Sequence, residues 1–354
     1  GIFILLFLFA VVGGSLTLFA LRASKVRSSG AFALVSRESF LLANNVLLAT
    51  AAATVLLGTV YPLLIDALNL GKLSVGPPYF NAVFAPIMVP VLVFMVVGSF
   101  ARWKNDSVPV LLKKLRLVAA LSVLLGCSLP LLAGTWSAST AMGLSLALWI
   151  VLSSLLQMYQ QMRDTVRWQS TPVSFWGMHL AHIGIAVTAV GITMVTGYET
   201  EKDVRMVLGD TVEVGGYTFR LTGIRQAQGP NYHADIGDVE LSQGGKVLKV
   251  LHPEKRTYLS SAMPMTEAAI DSGITRDVYV SLGERLEGGD NPAWAMRVYH
   301  KPFINWIWGG ALLMALGGGM AALDRRYRKK RTASAAASAS VNAPPAPLAE
   351  GVTA

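Results

Sequence analysis

Seven long apolar stretches constrain the fold of this 354-residue chain more than any other feature. A helix needs about 20 predominantly apolar residues to cross the hydrocarbon core of a bilayer, and each stretch comes close to or exceeds that length. Charged residues make up 14% of the chain, against about 25% in an average soluble protein. The sequence therefore excludes a water-soluble globule and predicts seven membrane-spanning helices, at roughly 2–21, 40–65, 83–101, 117–134, 140–159, 174–197 and 303–322.

Outside the segment 198–302, lysine and arginine lie almost entirely on one side of these predicted helices. Seventeen of them flank the ends that share that side, whereas the short loops on the opposite side contain only Lys72. Because cytoplasmic loops carry an excess of Lys and Arg, we expect the tail in the cytoplasm, and the first residue and the long segment 198–302 outside. The seventeen are Arg22, Lys25, Arg27, Arg37, Arg102, Lys104, Lys113, Lys114, Arg116, Arg163, Arg167, Arg325, Arg326, Arg328, Lys329, Lys330 and Arg331.

The segment 198–302 has the composition of a domain that faces water. It contains 12 Lys or Arg and 15 Asp or Glu. Stretches such as VEVGGYTFRLTGI, DVELSQGGKVLKVL and RDVYVSL alternate apolar and polar residues with the period of two that is typical of strands. The predicted fold class is therefore an all-α polytopic membrane bundle of about seven helices with one inserted β-rich domain.

The expected division of the chain follows from these patterns. Residues 1–197 contain helices one to six with short loops, 198–302 form the β-rich domain, and 303–322 form helix seven. The segment 323–354 begins with a basic cluster and continues in small residues and proline, so we expect a disordered cytoplasmic tail.

Several classes of function lack the residues that they require. The single cysteine, Cys127, excludes a disulfide and a CxxC redox pair within the chain. No GxxxxGK[ST], GxSxG or HExxH pattern occurs, so nucleotide-driven transport and ordinary hydrolysis have no support. Nucleic-acid binding is excluded because the basic clusters flank apolar spans, where membrane lipid is a sufficient partner.

Two histidines lie within the predicted spans, and both belong to the sixth. His179 and His182 are three residues apart in FWGMHLAHIGIAVTAVGI, so they occupy neighbouring positions on one face of a helix. One interpretation is a hydrogen bond to a facing helix or a lipid headgroup, and the other is ligation of iron. Haem takes its axial ligands from opposite sides of the porphyrin, so these two cannot both bind one haem iron. The small residues that follow them, such as Gly184 and Gly191, suit either a facing helix or a flat macrocycle.

Charged and aromatic residues cluster in the outer segment, within HPEKRTYLSSAMPMTEAAI. Lys255 and Arg256 suit haem propionates or the carboxylates of a partner protein, and a solvated loop is the alternative interpretation. For His300, which borders the last span, contact with lipid headgroups is the simpler role. The members of the cluster are His252, Glu254, Lys255, Arg256 and Tyr258.

The loop after the second predicted span contains consecutive prolines. Pro77 and Pro78 in NLGKLSVGPPYFN favour a rigid turn. Tyr79 and Phe80, which follow them, are expected in the aromatic belt at the membrane interface.

Three long stretches carry a resemblance to a known family. They are LLGTVYPLLIDALNLGKLSVGPPYFNAVFAP, the sixth-span run WGMHLAHIGIAVTAVGI, and PEKRTYLSSAMPMTEAAIDSGITRDVYVSLGE followed by KPFINWIWGGALLMALGGGMAALDRRYR. These stretches closely resemble the C-terminal part of the cytochrome c-type biogenesis protein CcmF, and the resemblance runs from about residue 1 to 330.

The resemblance implies a subunit of a haem lyase in the bacterial inner membrane, with its large loop in the periplasm. Such a subunit assists transfer of haem from the chaperone CcmE and its thioether attachment to the CxxCH of apocytochrome c, alongside the thiol-handling subunit CcmH. The resemblance also implies a transmembrane b-type haem that reduces the haem being attached. His182 in AHIG matches one axial ligand of that haem, and His179 is the alternative. Catalytic residues are left unidentified, and Pro253–Ala268 is the expected docking patch.

The sequence also departs from that family. It has no tryptophan-rich WWD segment and no upstream histidines, and family members are nearly twice as long. We therefore expect Gly1 to follow the histidine-bearing outer loop of a longer protein, with the second haem ligand outside this chain. Two rival functions are a non-catalytic scaffold that docks maturation partners and a haem transporter, although the spans contain almost no charged pair that a transporter would use.

Overall fold

The computed structural model describes residues 1–23, 31–132, 134–164, 171–260, 264–286 and 292–324, and the chain divides into two compact units. One unit contains Gly1–Trp136 and Leu144–Ser154, and the other contains Ser137–Gly143 and the chain from Leu155 onward. The described ranges contain seven helices that are long and apolar enough to cross a membrane. They are α1 (Ile2–Arg22), α2 (Arg37–Ala67), α3 (Pro77–Phe100), α4 (Val108–Leu132), α5 (Ala138–Asp164), α6 (Val173–Tyr198) and α7 (Ile304–Ala322).

Between α6 and α7 the described residues form ten strands, so the predicted class, a helical membrane bundle with one inserted β domain, is confirmed. The strands are β1 (Thr200–Met206), β2 (Thr211–Val214), β3 (Tyr217–Gln228), β4 (Tyr232–Gln243), β5 (Lys246–Leu251), β6 (Glu254–Tyr258), β7 (Pro264–Glu267), β8 (Ala269–Ser272), β9 (Arg276–Leu286) and β10 (Ala293–Pro302).

Two helices begin earlier than hydropathy indicates. α3 begins at Pro77, where the sequence predicts a turn, because proline suits the first helical position. The Tyr79 hydroxyl then donates to the Thr54 carbonyl oxygen of α2 at 3.0 Å, so this ring packs on α2. The interfacial belt expected for Tyr79 and Phe80 stays a prediction. α4 begins at Val108, and its 25 residues span about 38 Å, so its early lysines extend beyond a hydrocarbon core of about 30 Å.

Part of the basic pattern lies outside the described residues. Lys25, Arg27 and Arg167 belong there, as do the six cations of the tail and the rest of the segment 325–354. The disorder expected of this tail therefore stays a prediction.

The β domain is a sandwich of two antiparallel sheets. One has the strand order β1-β10-β9-β8, and the other has the order β2-β3-β4-β6-β7, with β5 paired to β4. Alternate residues of each strand point inward, so Phe219 and Leu241 of one sheet join Val280, Leu282 and Val298 of the other in a fully buried core. Apolar residues at every second position thus account for the whole domain core.

α6 and α7 pack closely along rows of glycine. A Cβ added at Gly184 would lie 2.7 Å from the Gly310 carbonyl oxygen, and one at Gly177 would lie 2.5 Å from the Gly317 carbonyl oxygen. Gly191, seven residues further along α6, approaches the Ile307 backbone nitrogen in the same way. Lipid tails are as apolar as leucine, so burial of apolar side chains does not drive helices together in a membrane. Small residues instead stabilise a helix pair because they let the two backbones approach closely.

The Gly184→Ala variant tests this contact. The new methyl group would meet the backbone of α7, which cannot move as a side-chain end can, so we expect a loss of about 1–3 kcal/mol in the free energy of unfolding. The measurement is detergent-solubilised unfolding followed by circular dichroism. Gly318→Ala is the control, because a Cβ there meets no atom within 4 Å. Equal stability of the two variants would contradict the close contact.

Candidate functional site

α6 carries its glycines and its histidines on opposite faces. At about 100° per residue, His182 lies about 160° around the helix from Gly184. Because Gly184 contacts α7, the two histidines point away from α7. Helix packing therefore accounts for Gly184 and Gly191. The histidine side of α6 in turn meets α5 near its C-terminal end, where a Cβ at Gly143 would collide with Thr193.

His179 is enclosed and lacks hydrogen bonds. Its side chain is 1% exposed, and both ring nitrogens are buried with no hydrogen-bond partner among the described residues. Its ring meets the edge of Phe175, with 4.5 Å between the ring centroids. A buried polar group without a partner costs about 1–3 kcal/mol, so this position is incomplete in the part of the chain that the structure describes.

His182 lies beside His179 but is more accessible. The two ring centroids are 6.3 Å apart and the ring planes are nearly perpendicular, at 86°. His182 is only partly buried. His182 is therefore the less enclosed of the two imidazoles by exposed surface.

The histidine face fits one axial position of a haem. Imidazole nitrogen is a common axial ligand of haem iron, and two rings on one helix face cannot supply both positions. Within the described ranges no group of three or more His, Cys, Asp or Glu residues could hold a metal ion. An imidazole of α6 would therefore suit a group, such as haem, that needs one nitrogen ligand from this helix.

The five predicted docking residues do not share one face. Glu254, Arg256 and Tyr258 alternate with Lys255 along β6, so the pleat of the strand places Lys255 on the opposite side. His252 precedes the strand and its Nδ1 lies 2.8 Å from an oxygen of Asp238. The structure thus brings three of the five together and separates the other two.

Arg256 is already engaged within the domain. Its Nε donates to Glu254 at 2.8 Å, its Nη1 lies 3.4 Å from Glu267, and its guanidinium lies over the Tyr232 ring. The hydrogen bond to Glu254 is the largest cause that raises the pKa of Arg256 above its ordinary value. Arg256 therefore holds β4, β6 and β7 together, and it is poorly placed to bind a propionate or a partner.

Lys255 has the surroundings expected of a docking residue. Its ammonium group donates to the Thr266 hydroxyl at 3.1 Å, and the side chain lines an open polar groove of about 450 Å³ beside Gln226 and Asp235. Of the two predicted cations, this one therefore faces a surface that a partner could occupy.

The junction between the β domain and α7 depends on residues that the sequence analysis did not identify. The carboxylate of Asp277, 4% exposed, accepts hydrogen bonds from the Ser272 hydroxyl, the Gly273 amide and the Asn305 side-chain amide, at 2.9, 3.0 and 2.9 Å. One residue in the sequence could have indicated this junction: Asn305, a polar residue at the start of an otherwise apolar span. It fixes the first turn of α7 to the β8–β9 loop.

His300 packs on the domain near the same junction, and its expected contact with lipid headgroups stays a prediction. Its ring stacks on Tyr217 at 5.9 Å between centroids, and the Arg276 guanidinium lies 4.9 Å from the centroid of the Tyr217 ring. Gly215, with φ of +60°, passes so close to His300 that a Cβ would collide with the ring. Burial, and secondarily the charge of Arg276, lowers the pKa of His300.

Comparisons with known proteins place this architecture in a family. Residues 197–302 match the family model described as the CcmF C-terminal beta-sandwich. The cytochrome c-type biogenesis protein CcmF of Pseudomonas aeruginosa is 50% identical over 93% of this chain, and that of Escherichia coli K12 is 46% identical over 93%. The chain belongs to the CcmF family. It spans about half the length of the curated relatives it matches, 50% in both cases.

A solved structure has the same fold as most of this CcmF-family chain. It is titled Cytochrome c Heme Lyase CcmF, and the TM-score is 0.66 over 82% of this chain and 46% of the other, at 24% sequence identity. The family resemblance read from the sequence is confirmed.

The partly buried His300 predicts a pH dependence of stability. Since the pKa of His300 is lowered in the folded state, the unfolded chain takes up a proton first as the pH falls through about 6.5. The free energy of unfolding should therefore decrease below that pH, until the folded state is protonated too. Thermal unfolding of the full chain at pH 7.5 and 5.5 would measure this loss.

Two variants isolate the contribution of His300. His300→Phe keeps a ring against Tyr217 but cannot be protonated, so its unfolding midpoint should fall less on acidification. His233→Phe removes an exposed histidine of β4 and should behave as the unaltered chain. The same acid-dependent loss in all three proteins would refute the role of His300.

Proposed function

We propose that this chain is part of a haem lyase for cytochrome c maturation, in which it assists transfer of haem from the chaperone CcmE and its thioether attachment to the CxxCH of apocytochrome c. Membership of the CcmF family supports this function, because the curated relatives are named cytochrome c-type biogenesis proteins. The similar solved structure is titled a haem lyase.

The observation that carries the proposal is the histidine face of α6. Glycine packing holds the opposite face against α7, so two imidazoles are presented from a helix whose rotation is set. His179 is closed off and His182 is reachable. An electron-transfer haem within a membrane needs a ligand of this kind on a rigid element.

His182 is the proposed axial ligand of a b-type haem, with His179 as the alternative, and the second ligand is proposed to lie outside this chain. When bound, such a haem supplies one-electron transfer with little change in iron coordination. His182 is favoured as the ligand because it is the more exposed of the two. The ring nitrogens of His179 are buried, so a large macrocycle would reach them only after α6 or its neighbours moved. The role proposed for His179 is to pack beneath His182 and keep water from the site.

The proposed location is the bacterial inner membrane, with the β domain in the periplasm and the C-terminus in the cytoplasm. The excess of Lys and Arg in alternate loops between the helices supports this orientation. The periplasmic side is where the proposed partners CcmE, CcmH and apocytochrome c would meet the β domain.

A reduced-minus-oxidised optical spectrum tests the ligand assignment. The chain, joined to the additional length that its relatives possess, should show a b-type band, and His182→Ala should abolish that band because the iron loses an axial ligand. The same spectrum of the present chain alone should lack the band.

His179→Ala is the matched control for this experiment. It removes an imidazole one turn away and should retain a b-type band, although the band can shift as the packing beneath His182 changes. Loss of the band in His179→Ala and retention in His182→Ala would transfer the ligand role to His179. No band in any sample would favour a scaffold that docks partners without a redox centre.

Lys255→Glu tests the docking surface. Reversal of this charge in the polar groove should weaken binding of CcmH or apocytochrome c at least tenfold if a partner carboxylate binds there, since charge-assisted hydrogen bonds are worth about 1.5–3 kcal/mol. Surface plasmon resonance with the full chain would measure it. Lys246→Glu, on exposed β5, has the same charge change and should bind normally. Equal weakening by both would indicate a nonspecific charge effect.

A further inference from the structure

A short loop of the β domain is bound to the start of α7 at every residue. We call Ser272, the last residue of β8, together with Gly273, Ile274 and Thr275, which join β8 to β9, the membrane tip. All four residues accept hydrogen bonds from the first turn of α7 or the residue before it. The bonds run from Asn305 Nδ2 to Ser272 Oγ at 2.9 Å and to the Gly273 carbonyl at 2.7 Å, from Trp306 Nε1 to the Ile274 carbonyl at 3.1 Å, and from the Phe303 amide to the Thr275 carbonyl at 2.8 Å.

The length of α7 determines where this tip lies. α7 has 19 residues, which span about 28 Å, and the hydrocarbon core of a bilayer is about 30 Å thick. The helix therefore has no spare turn, and both of its ends must lie at the membrane surfaces. Trp306 stands in the first turn, as expected of an interfacial tryptophan. The membrane tip is consequently held at the boundary between headgroups and hydrocarbon.

Ile274 is an anomaly if the tip faces water. Its side chain is 81% exposed although its backbone is held by Trp306. A loop that is fixed so firmly cannot turn this side chain inward. At the depth set by α7, lipid would surround the exposed isoleucine, and its apolar surface would be favourable there.

Below the tip, a groove of about 800 Å³ runs down the surface of α7. Its upper end is polar, because Asn305 and the tip form it, and its lower end is apolar, because Leu312 and Leu313 lie about 10–12 Å deeper along the helix. Val187 of α6 forms one wall. A Cβ at Gly309 would meet no atom within 4 Å, so the groove exists where this residue lacks a side chain.

We propose that this groove binds one acyl chain of a bilayer phospholipid, with the membrane tip over it, and that this contact anchors the β domain on the bilayer. Two observations identify the occupant. The groove continues onto the exposed surface of α7, where Leu312 is 67% and Trp308 is 70% exposed. The groove is lined by amide and hydroxyl groups at its upper end and by leucines at its lower end. A phospholipid has the same order, with a polar glycerol ester region above apolar chains. The inference goes beyond the haem-lyase proposal and needs no haem.

Native mass spectrometry of the full chain, purified in detergent with phosphatidylethanolamine vesicles as the lipid source, tests the groove. Gly309→Leu fills the open space at the groove floor, so the retained phospholipid should be lost. Gly318→Leu makes the same change on the opposite face of α7, also in open space, and should retain the lipid. Equal retention in the two variants would overturn the proposal. So would retention of a quinone or of another protein's helix in place of phospholipid.

A depth measurement tests the tip without altering the groove. In a Cys127→Ser background, Ile274→Cys carries an environment-sensitive fluorophore in phosphatidylethanolamine vesicles that contain spin-labelled phospholipid. The fluorophore at this site should be quenched strongly. Asn231→Cys, in the β3–β4 turn, is the control, because β3 separates it by about 36 Å from the membrane end of the domain. Equal quenching at both sites, or none at Ile274→Cys, would overturn the proposal.

Discussion

The backbone contact between α6 and α7 is the interaction on which the second unit depends. Hydrophobic burial cannot hold two helices together in lipid, so the contact rests on close packing along glycines spaced seven residues apart. That packing sets the rotation of α6 about its own axis. Because the rotation is set, His179 and His182 take up a single position opposite α7, one enclosed and one reachable. A side chain on Gly184 or Gly310 would separate the helices and release the histidine face with them.

The same helix pair supports the β domain. α6 leads into β1 and β10 leads into α7, so the sandwich is attached at both of its ends. Two chain connections alone would allow it to tilt, but Asp277, Asn305 and Trp306 add hydrogen bonds between the β8–β9 loop and the first turn of α7. The buried carboxylate of Asp277 is stable because three donors converge on it. A surface such as the groove beside Lys255 is thereby held in a defined relation to the helices that enter the membrane.

Much of this architecture was predictable from the sequence, and the failures have physical causes. Runs of about 20 apolar residues identify spans because a bilayer offers no partner for an exposed backbone, and a period of two identifies strands because side chains alternate across a sheet. Helix ends were missed at Pro77 and Val108, since hydropathy measures the apolar part of a helix and not the turns that continue into the headgroups. The docking cluster was taken as one group because its residues are adjacent in sequence, whereas the pleat of β6 divides them.

The sequence by itself determined the membrane class, the number of spans, the inserted β domain, the family, and the two histidines available to a cofactor. The family follows from the resemblance of three long stretches to CcmF proteins, and the other properties depend on composition, on periodicity or on residue identity within one segment. Only the tertiary structure decided which histidine is accessible, that Arg256 is held by Glu254 and Glu267, and that Asn305 joins the domain to the membrane helix. Those properties arise from contacts between residues far apart in the chain, such as Asn305 with Asp277, and no local pattern records which distant residue will lie beside a given one.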